Sequence, residues 1–423
     1  MRWYFLFLAS SLFFTPLFTQ TANTIELSAC YAAARAHAAL SAQTALLEQQ
    51  RALRSAQIEA GRLPDLSVNG RATFQSENVD LGIDNPLFQS PDLPLFQYRV
   101  SADAAYTVYD GGYRNALLEQ ENAAARVRSQ SVETALYKLR EQVNQPFFGV
   151  LLLRQKIALL ESSKDELQQR IASLQGAVTA GARLQGDVDR LNVQVLRLES
   201  EIEQAQRAIR GLLDVLEQLS GQPYPDGVEL ILPATPATLS ADIKRPELLG
   251  FQLQQEQTLR AEALLDARLK PKVGAFAQLG LGAPNPLNFF DDNLSPFGIV
   301  GVQVSWKIAD WQHTRREKEW LTVQRQGIES EKSYFLQQIN RLDGKYRADL
   351  AAIEAALRRQ EAIATMQENI RRESAAQLDQ GVRTATDYLS DSNAILQTRL
   401  QIETLRLQAR QLHIDFLTLK GLL

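Results

Sequence analysis

Residues 97–108 read Gln97-Tyr98-Arg99-Val100-Ser101-Ala102-Asp103-Ala104-Ala105-Tyr106-Thr107-Val108. Tyr98, Val100, Ala102, Ala104, Tyr106 and Val108 fall on one side of an extended chain, opposite mostly polar Gln97, Arg99, Ser101, Asp103 and Thr107. That alternation predicts a strand with one apolar and one polar face. A second such run precedes it, with Leu66, Val68, Gly70, Ala72 and Phe74 against Ser67, Asn69, Arg71, Thr73 and Gln75. A looser one lies far downstream, where Val300, Val302, Val304, Trp306 and Ile308 oppose Gly301, Gln303, Ser305 and Lys307. With residues 273–281, the predicted strands are 66–75, 98–108, 273–281 and 297–308. Strands of about ten residues with two unlike faces suit a transmembrane barrel, where lipid meets one side and water the other. A soluble, half-buried sheet alternates in the same way. Aromatic residues cluster where strand passes to helix: Tyr106, Tyr109 and Tyr113, then Trp306 and Trp311. Tyr106, Tyr109, Trp306 and Trp311 are the candidate girdle at a membrane interface.

Four strands do not close a barrel, for which about eight are the working minimum. Open edges in lipid would leave backbone groups unpaired at several kcal/mol each. The sheet is therefore expected to be shared between copies of the chain. Two copies give a filled barrel, and three give twelve strands with room for a lumen.

The chain is also written twice. Asn85-Pro86-Leu87 recurs as Asn285-Pro286-Leu287, Tyr109-Asp110 as Ala309-Asp310, and Gly181-Ala182-Arg183 with Asp187 as Gly381-Val382-Arg383 with Asp387, all at one spacing. Residues 23–221 and 242–423 form the two expected repeats, joined by 222–241. In each, a helix stops at a proline (Pro64, Pro271), two strands flank a proline-rich loop, and a long helix turns at glycine into a second helix. Residues 112–178 would span about 100 Å as one helix at ~1.5 Å per residue. Residues 25–61, 187–220 and 242–270 give helices of roughly half that length, so that two would stack along one long helix. Val188, Leu191, Val195, Leu198, Ile202, Ala205, Ile209, Leu212, Leu216 and Leu219 step by three and four, a coiled-coil seam. In the last helix Tyr388, Ile395, Ile402, Ala409 and Phe416 recur every seventh residue. Leu389, Leu396, Leu400 and Leu407 widen this face, as a helix packed on both flanks of a wall requires.

The 423 residues carry 45 Lys and Arg against 49 Asp and Glu, for a net charge of −4. This balance gives no basis for nucleic-acid binding. One cysteine, Cys30, leaves no intrachain disulfide, and the three histidines form no HExxH pattern. No GxSxG, P-loop or GxGxxG motif marks an enzyme, and no cofactor or metal site is expected. Residues 1–22 read as an export signal, with Arg2 before a short apolar run. Leu27-Ser28-Ala29-Cys30 has the form of a lipoprotein box, but Glu26 and the polar stretch 19–24 separate it from that run. Cys30 is therefore expected in a helix, unlipidated.

The pattern resembles the TolC-like outer-membrane efflux protein family over nearly the whole mature chain. The carrying residues are Ile25-Glu26-Leu27, Val108-Tyr109-Asp110-Gly111-Gly112, and the two turns, above all Gly381-Val382-Arg383-Thr384-Ala385-Thr386-Asp387-Tyr388-Leu389. The resemblance implies a mixed α+β membrane protein. Its homotrimer would join a twelve-stranded transmembrane β-barrel in the outer membrane of a Gram-negative cell to a long periplasmic α-helical coiled-coil barrel. It also implies an exit duct in a tripartite efflux or type I secretion system. A periplasmic adaptor (membrane fusion) protein would dock at Gly181, Ala182, Arg183, Gly381 and Val382, and an RND or ABC inner-membrane pump would supply the energy. Asp387, Arg383 and Asp187 match positions of the family's tip gate. The family's second ring aspartate is Ser390 here, beside Asp391, and a tyrosine sometimes found before the second tip glycine is Leu378. Capping of the returning helices is the alternative reading of the tip aspartates.

Overall fold

The computed structural model describes residues 24–77, 94–232, 242–288 and 291–423. The export signal and the loop holding Asn85-Pro86-Leu87 lie outside these residues.

The chain opens with strand β1 (Thr24–Glu26), then α1 (Leu27–His37) and α2 (Ala39–Ala60). Strands β2 (Asp65–Phe74) and β3 (Phe96–Tyr109) lead to α3 (Tyr113–Tyr137), α4 (Leu139–Thr179) and α5 (Gln185–Ser220). A short strand β4 (Glu229–Ile231) precedes α6 (Pro246–Arg268), β5 (Lys272–Ala283), β6 (Ser295–Ser305), α7 (His313–Asp379) and α8 (Ala385–Lys420). Asp110 starts α3 by accepting from the backbone N–H groups of Gly112 and Arg114, and Asp310 starts α7 by accepting from that of Thr314.

Three expectations on the helices need correction. The opening helix does not begin at Ile25. Residues 24–26 pair in parallel with β4, Ile25 opposite Leu230, and three residues are too few to carry a strand period. The helix then breaks at Ala38 (ψ 129°), where the Ser41 hydroxyl donates to the Arg35 carbonyl and competes with the helical ladder. The long helix 112–178 is interrupted at Lys138 by one tightened turn, Lys138 N–H to Ala135 O at 3.2 Å. Pro246 in the first turn of α6 sets the start of that helix, so 242–245 are not helical.

The helices form a wall. In one part α3 packs between α2 and α6, and α6 also meets α7. In the other, α4 packs between α5 and α8, and α8 meets α7. The 67 residues of α7 make a rod of about 100 Å at ~1.5 Å per residue.

Two cores hold this wall together. One joins α4, α5 and α8 through Leu160, Leu167, Leu174, Leu191, Leu198 and Tyr388. The other gathers Leu27, Cys30, Phe147, Leu213, Tyr224 and Ile414 where β1 and β4 pair. Cys30 is 1 % exposed there and accepts from the Tyr224 hydroxyl at 3.5 Å, so a lipidated cysteine would have to leave this core. The α5 seam also departs from the expected one, because Leu213 rather than Leu212 is fully buried. A straight helix drifts from a strict seven-residue repeat. Leu212 instead fills the space over Gly149, where a Cβ would lie 2.7 Å from its Cδ1.

The four-stranded sheet runs β2-β3-β5-β6, antiparallel throughout, with β2 and β6 at its edges. β6 ends at Ser305, short of the predicted Ile308.

Candidate functional site

Register decides what the sheet presents. Leu66 pairs with Ala104, which pairs with Ala277, which pairs with Val300. The neighbouring rows place Val68, Ala102 and Leu279 together, and Tyr106, Ala275 and Val302 together. One face is thus apolar across all four strands. It is also the uncovered face: Val68 is 76 % exposed, Leu279 65 %, Val300 81 % and Val302 71 %. A soluble half-buried sheet does the reverse and packs its apolar face against a core.

The opposite face is better covered. Asp103 accepts from Asn69 and Gln278, both at 2.5 Å, and Ser101 and Phe297 are buried. Phe297 lies over Gly280, where a Cβ would come within 2.8 Å of its ring, and Phe276 lies over Gly301 in the same way. No helix among the described residues is long and apolar enough to cross a membrane, which says nothing of strands.

The candidate girdle residues Tyr106, Tyr109, Trp306 and Trp311 are all exposed near the strand-to-helix passages. Trp306 donates its indole N–H to the Leu269 carbonyl at 3.1 Å. Trp311 is 91 % exposed and has φ 50°, with Gln312 at φ 65°. In the first half Gly111 and Gly112 hold the corresponding left-handed conformations (φ 70° and 81°) without a Cβ penalty. Trp311→Gly is expected to stabilise the detergent-solubilised protein by about 1 kcal/mol through relief of this strain. Trp311→Ala should not, because alanine keeps the Cβ. Equal thermal midpoints for the two variants would refute the strain.

At the far end of the wall two turns reverse the long helices. Gly181 (φ 73°) and Gly381 (φ 84°) sit in left-handed caps, with Ala182 N–H bonding Ala177 O and Val382 N–H bonding Gln377 O. The turns are adjacent, since the Arg183 guanidinium lies 3.9 Å from where a Gly381 Cβ would be. Asp187 is 9 % exposed and faces Arg183 and Arg190, each at 3.7 Å. Arg383 pairs at 2.6 Å with Asp391 in its own following helix. Asp387 forms a capping box with Thr384: its carboxylate accepts from the Thr384 hydroxyl at 2.7 Å, and its N–H bonds that oxygen at 3.2 Å. The Thr384 hydroxyl and backbone N–H hold the Asp387 carboxyl below its usual range.

Sequence reasoning missed a polar network above the turns. Glu166 on α4 receives Arg371 of α7 and the Tyr388 hydroxyl of α8, the latter at 3.0 Å. Glu368 binds Arg371 at 2.6 Å and Arg399 at 2.9 Å, and Arg170 donates to Asp379 at 2.6 Å. The available signal was Tyr388 itself, a seam residue whose buried hydroxyl needs a partner.

No metal-ligating group of three or more His, Cys, Asp or Glu occurs among the described residues. No protein-family model and no curated protein sequence matches the chain. Solved structures do. The outer membrane protein VceC from Vibrio cholerae is similar over 93 % of this chain and 96 % of its own, with a TM-score of 0.64 and 16 % identity. CusC, whose structures concern folding and transmembrane channel formation, covers 93 % and 91 % at a TM-score of 0.67 and 12 % identity. The open Neisseria gonorrhoeae MtrE outer membrane channel covers 93 % and 88 % at a TM-score of 0.65 and 14 % identity. The chain has the fold of the TolC-like outer-membrane efflux channels.

Proposed function

We propose that the chain is the outer-membrane exit duct of an efflux system, assembled as a homotrimer and performing no catalysis. The observation that carries this reading is the exposed apolar face of a sheet with two open edges. Lipid satisfies that face, and pairing β6 of one copy with β2 of the next removes the edges. Three copies give twelve strands around a lumen. The helical wall has free flanks on the same two sides, since α2 leads into β2 and α7 follows β6. Leu46 and Leu53 on α2, and Trp320 and Val323 on α7, are exposed in the single chain and suit burial between copies.

The two halves repeat one order of elements, which supports a tandem duplication over 23–221 and 242–423. In this reading the glycine turns are the periplasmic tip. Gly181, Ala182, Arg183, Gly381 and Val382 meet a periplasmic adaptor coupled to an RND or ABC pump, for efflux or for type I secretion. Asp387, Arg383 and Asp187 surround the mouth. Tyr106, Tyr109, Trp306 and Trp311 mark the membrane interface.

The capping box favours a second reading of Asp387, that it only starts α8. Planar-bilayer recording separates the two. The purified protein is expected to conduct, and divalent cations should block the parent. Asp387→Ala should lose that block if three copies converge at the mouth. Under capping alone it should lower the melting temperature and leave block unchanged. Absence of conductance by the parent would overturn the duct itself.

A further inference from the structure

The covered face of the sheet holds a charge arrangement that its own fold does not need. Arg71 of β2 lies directly opposite Arg99 of β3 in the antiparallel register. Like charges placed so destabilise a strand pair, and a nearby acid normally compensates. Here none does. Neither guanidinium forms an ion pair or side-chain hydrogen bond among the described residues, whereas most other arginines of the chain are paired. The acid nearest along β3 on this face, Asp103, is occupied by Asn69 and Gln278 at 2.5 Å and by Ser101 at 3.3 Å. Asp65, on the same face, is six residues along β2, roughly 20 Å away at ~3.3 Å per residue, well beyond the Debye length.

The rest of the row is small. Arg99 registers with Gly282, and Gly282 with Ser295; Pro286 folds over Gly282, where a Cβ would come within 2.9 Å of its ring, and the β2 side of the row stays open. Arg71 is exposed and Arg99 half-buried. A cationic pair with no ion-pair partner among the described residues, in a protein of net charge −4, is a local departure from the chain's own balance.

We infer that Arg71 and Arg99 form an oxyanion-binding belt on the lumen wall of the barrel, acting on solutes that carry a carboxylate or phosphate. The inference rests on the exit-duct reading, which makes this face the lumen. Three copies then place six guanidiniums at one height, separated by the Gly282–Ser295 arcs. Each offers a planar fork of donors that fits two oxygens of a carboxylate or phosphate. In a water-filled pore a ring of such groups favours anions without trapping them. The belt lies toward the end of β2 away from the helices, so an anionic solute meets it after leaving the helical duct.

Recording in planar bilayers with the full chain tests this. Phthalate, and separately inorganic phosphate, are added on the barrel side. Both should reduce the parent current, and Arg71→Gln/Arg99→Gln should weaken both blocks about tenfold. Block by phthalate alone would assign the belt to carboxylates, and by phosphate alone to phosphates. Arg71→Lys/Arg99→Lys should retain a weakened block, because charge remains and the fork is lost. The glutamine variant removes a repulsion and is expected to assemble as the parent does, which an unchanged yield of heat-modifiable oligomer would establish. Conduction with equal block in parent and glutamine variant overturns the belt while the duct stands. No conductance by the parent overturns both.

Discussion

Val302→Arg is expected to abolish recovery of the assembled protein from the outer membrane. Val302 is 71 % exposed on the apolar face and registers with Ala275, which registers with Tyr106. A guanidinium there has an alanine beside it and no carboxylate in its row. On the proposed lipid face near mid-bilayer the charge costs about 2–4 kcal/mol per copy, or about 6–12 kcal/mol for the proposed trimer. That rivals the whole stability of an ordinary domain, about 5–15 kcal/mol. Gln303→Arg is the matched control, since Gln303 is the next residue and points to the opposite face, where water and polar neighbours accept a charge. The measurement is the yield of heat-modifiable oligomer in the outer-membrane fraction. Loss for Val302→Arg with retention for Gln303→Arg is expected. Equal yields would mean that this face does not meet lipid.

The strands were legible because a period of two survives in single residues. Val300, Val302 and Val304 needed only the alternation to be placed on one face. What the alternation could not say was which face is covered, because a soluble sheet has the same period. Exposure of Val68 and Val300 decides that. The helical seams were legible for a similar reason, and Leu191, Leu198, Tyr388 and Phe416 are fully buried as their spacing predicts. The misplacement of Leu212 shows where the rule ends. Spacing gives the buried stripe but not the drift of a straight helix, nor the missing Cβ of Gly149 that receives this leucine.

Other features had no local signal. The break at Ala38 involves neither glycine nor proline and rests on a serine hydroxyl reaching back to Arg35. Strand β1 exists because a segment more than two hundred residues away supplies its partner, Thr24 opposite Glu229. The network of Glu166, Arg371 and Tyr388 joins residues on three helices, and charges at such separations look like ordinary solvated faces in the sequence. At the turns, the glycines and the following aspartates were legible. That Arg383 reaches Asp391 and that Asp387 closes a box with Thr384 are matters of side-chain reach, which spacing does not encode.

The largest expected effect within the helical wall concerns the ion pair of a buried lysine with a half-buried aspartate. Lys420, in the last turn of α8, is 4 % exposed and lies 3.1 Å from Asp343 of α7. Its backbone carbonyl accepts from Lys244 N–H at 2.7 Å, so the ammonium cannot easily swing out to water. Burial pushes the Asp343 carboxyl up, but the ion pair with Lys420 and the hydrogen bond from Arg347 outweigh it and hold the group below its ordinary range. The stability it contributes is therefore present above its unfolded value near pH 4 and lost as pH falls through the lower folded one. The two partners are not equivalent. Asp343 has a second cation, Arg347 at 3.0 Å, whereas among the described residues Lys420 pairs with no other carboxylate and otherwise meets the Phe416 ring at 5.5 Å. Asp343→Leu should therefore cost about 3–5 kcal/mol by stranding a buried ammonium, and Lys420→Met clearly less. The double variant should recover most of the loss, because a well-packed apolar pair often equals a buried ion pair. Urea denaturation of the detergent-solubilised protein, followed by helical circular dichroism, gives the three values. If Asp343→Leu and Lys420→Met cost the same, the asymmetry is wrong. If the double variant is no better than Asp343→Leu, the penalty comes from lost packing rather than from an unpaired charge.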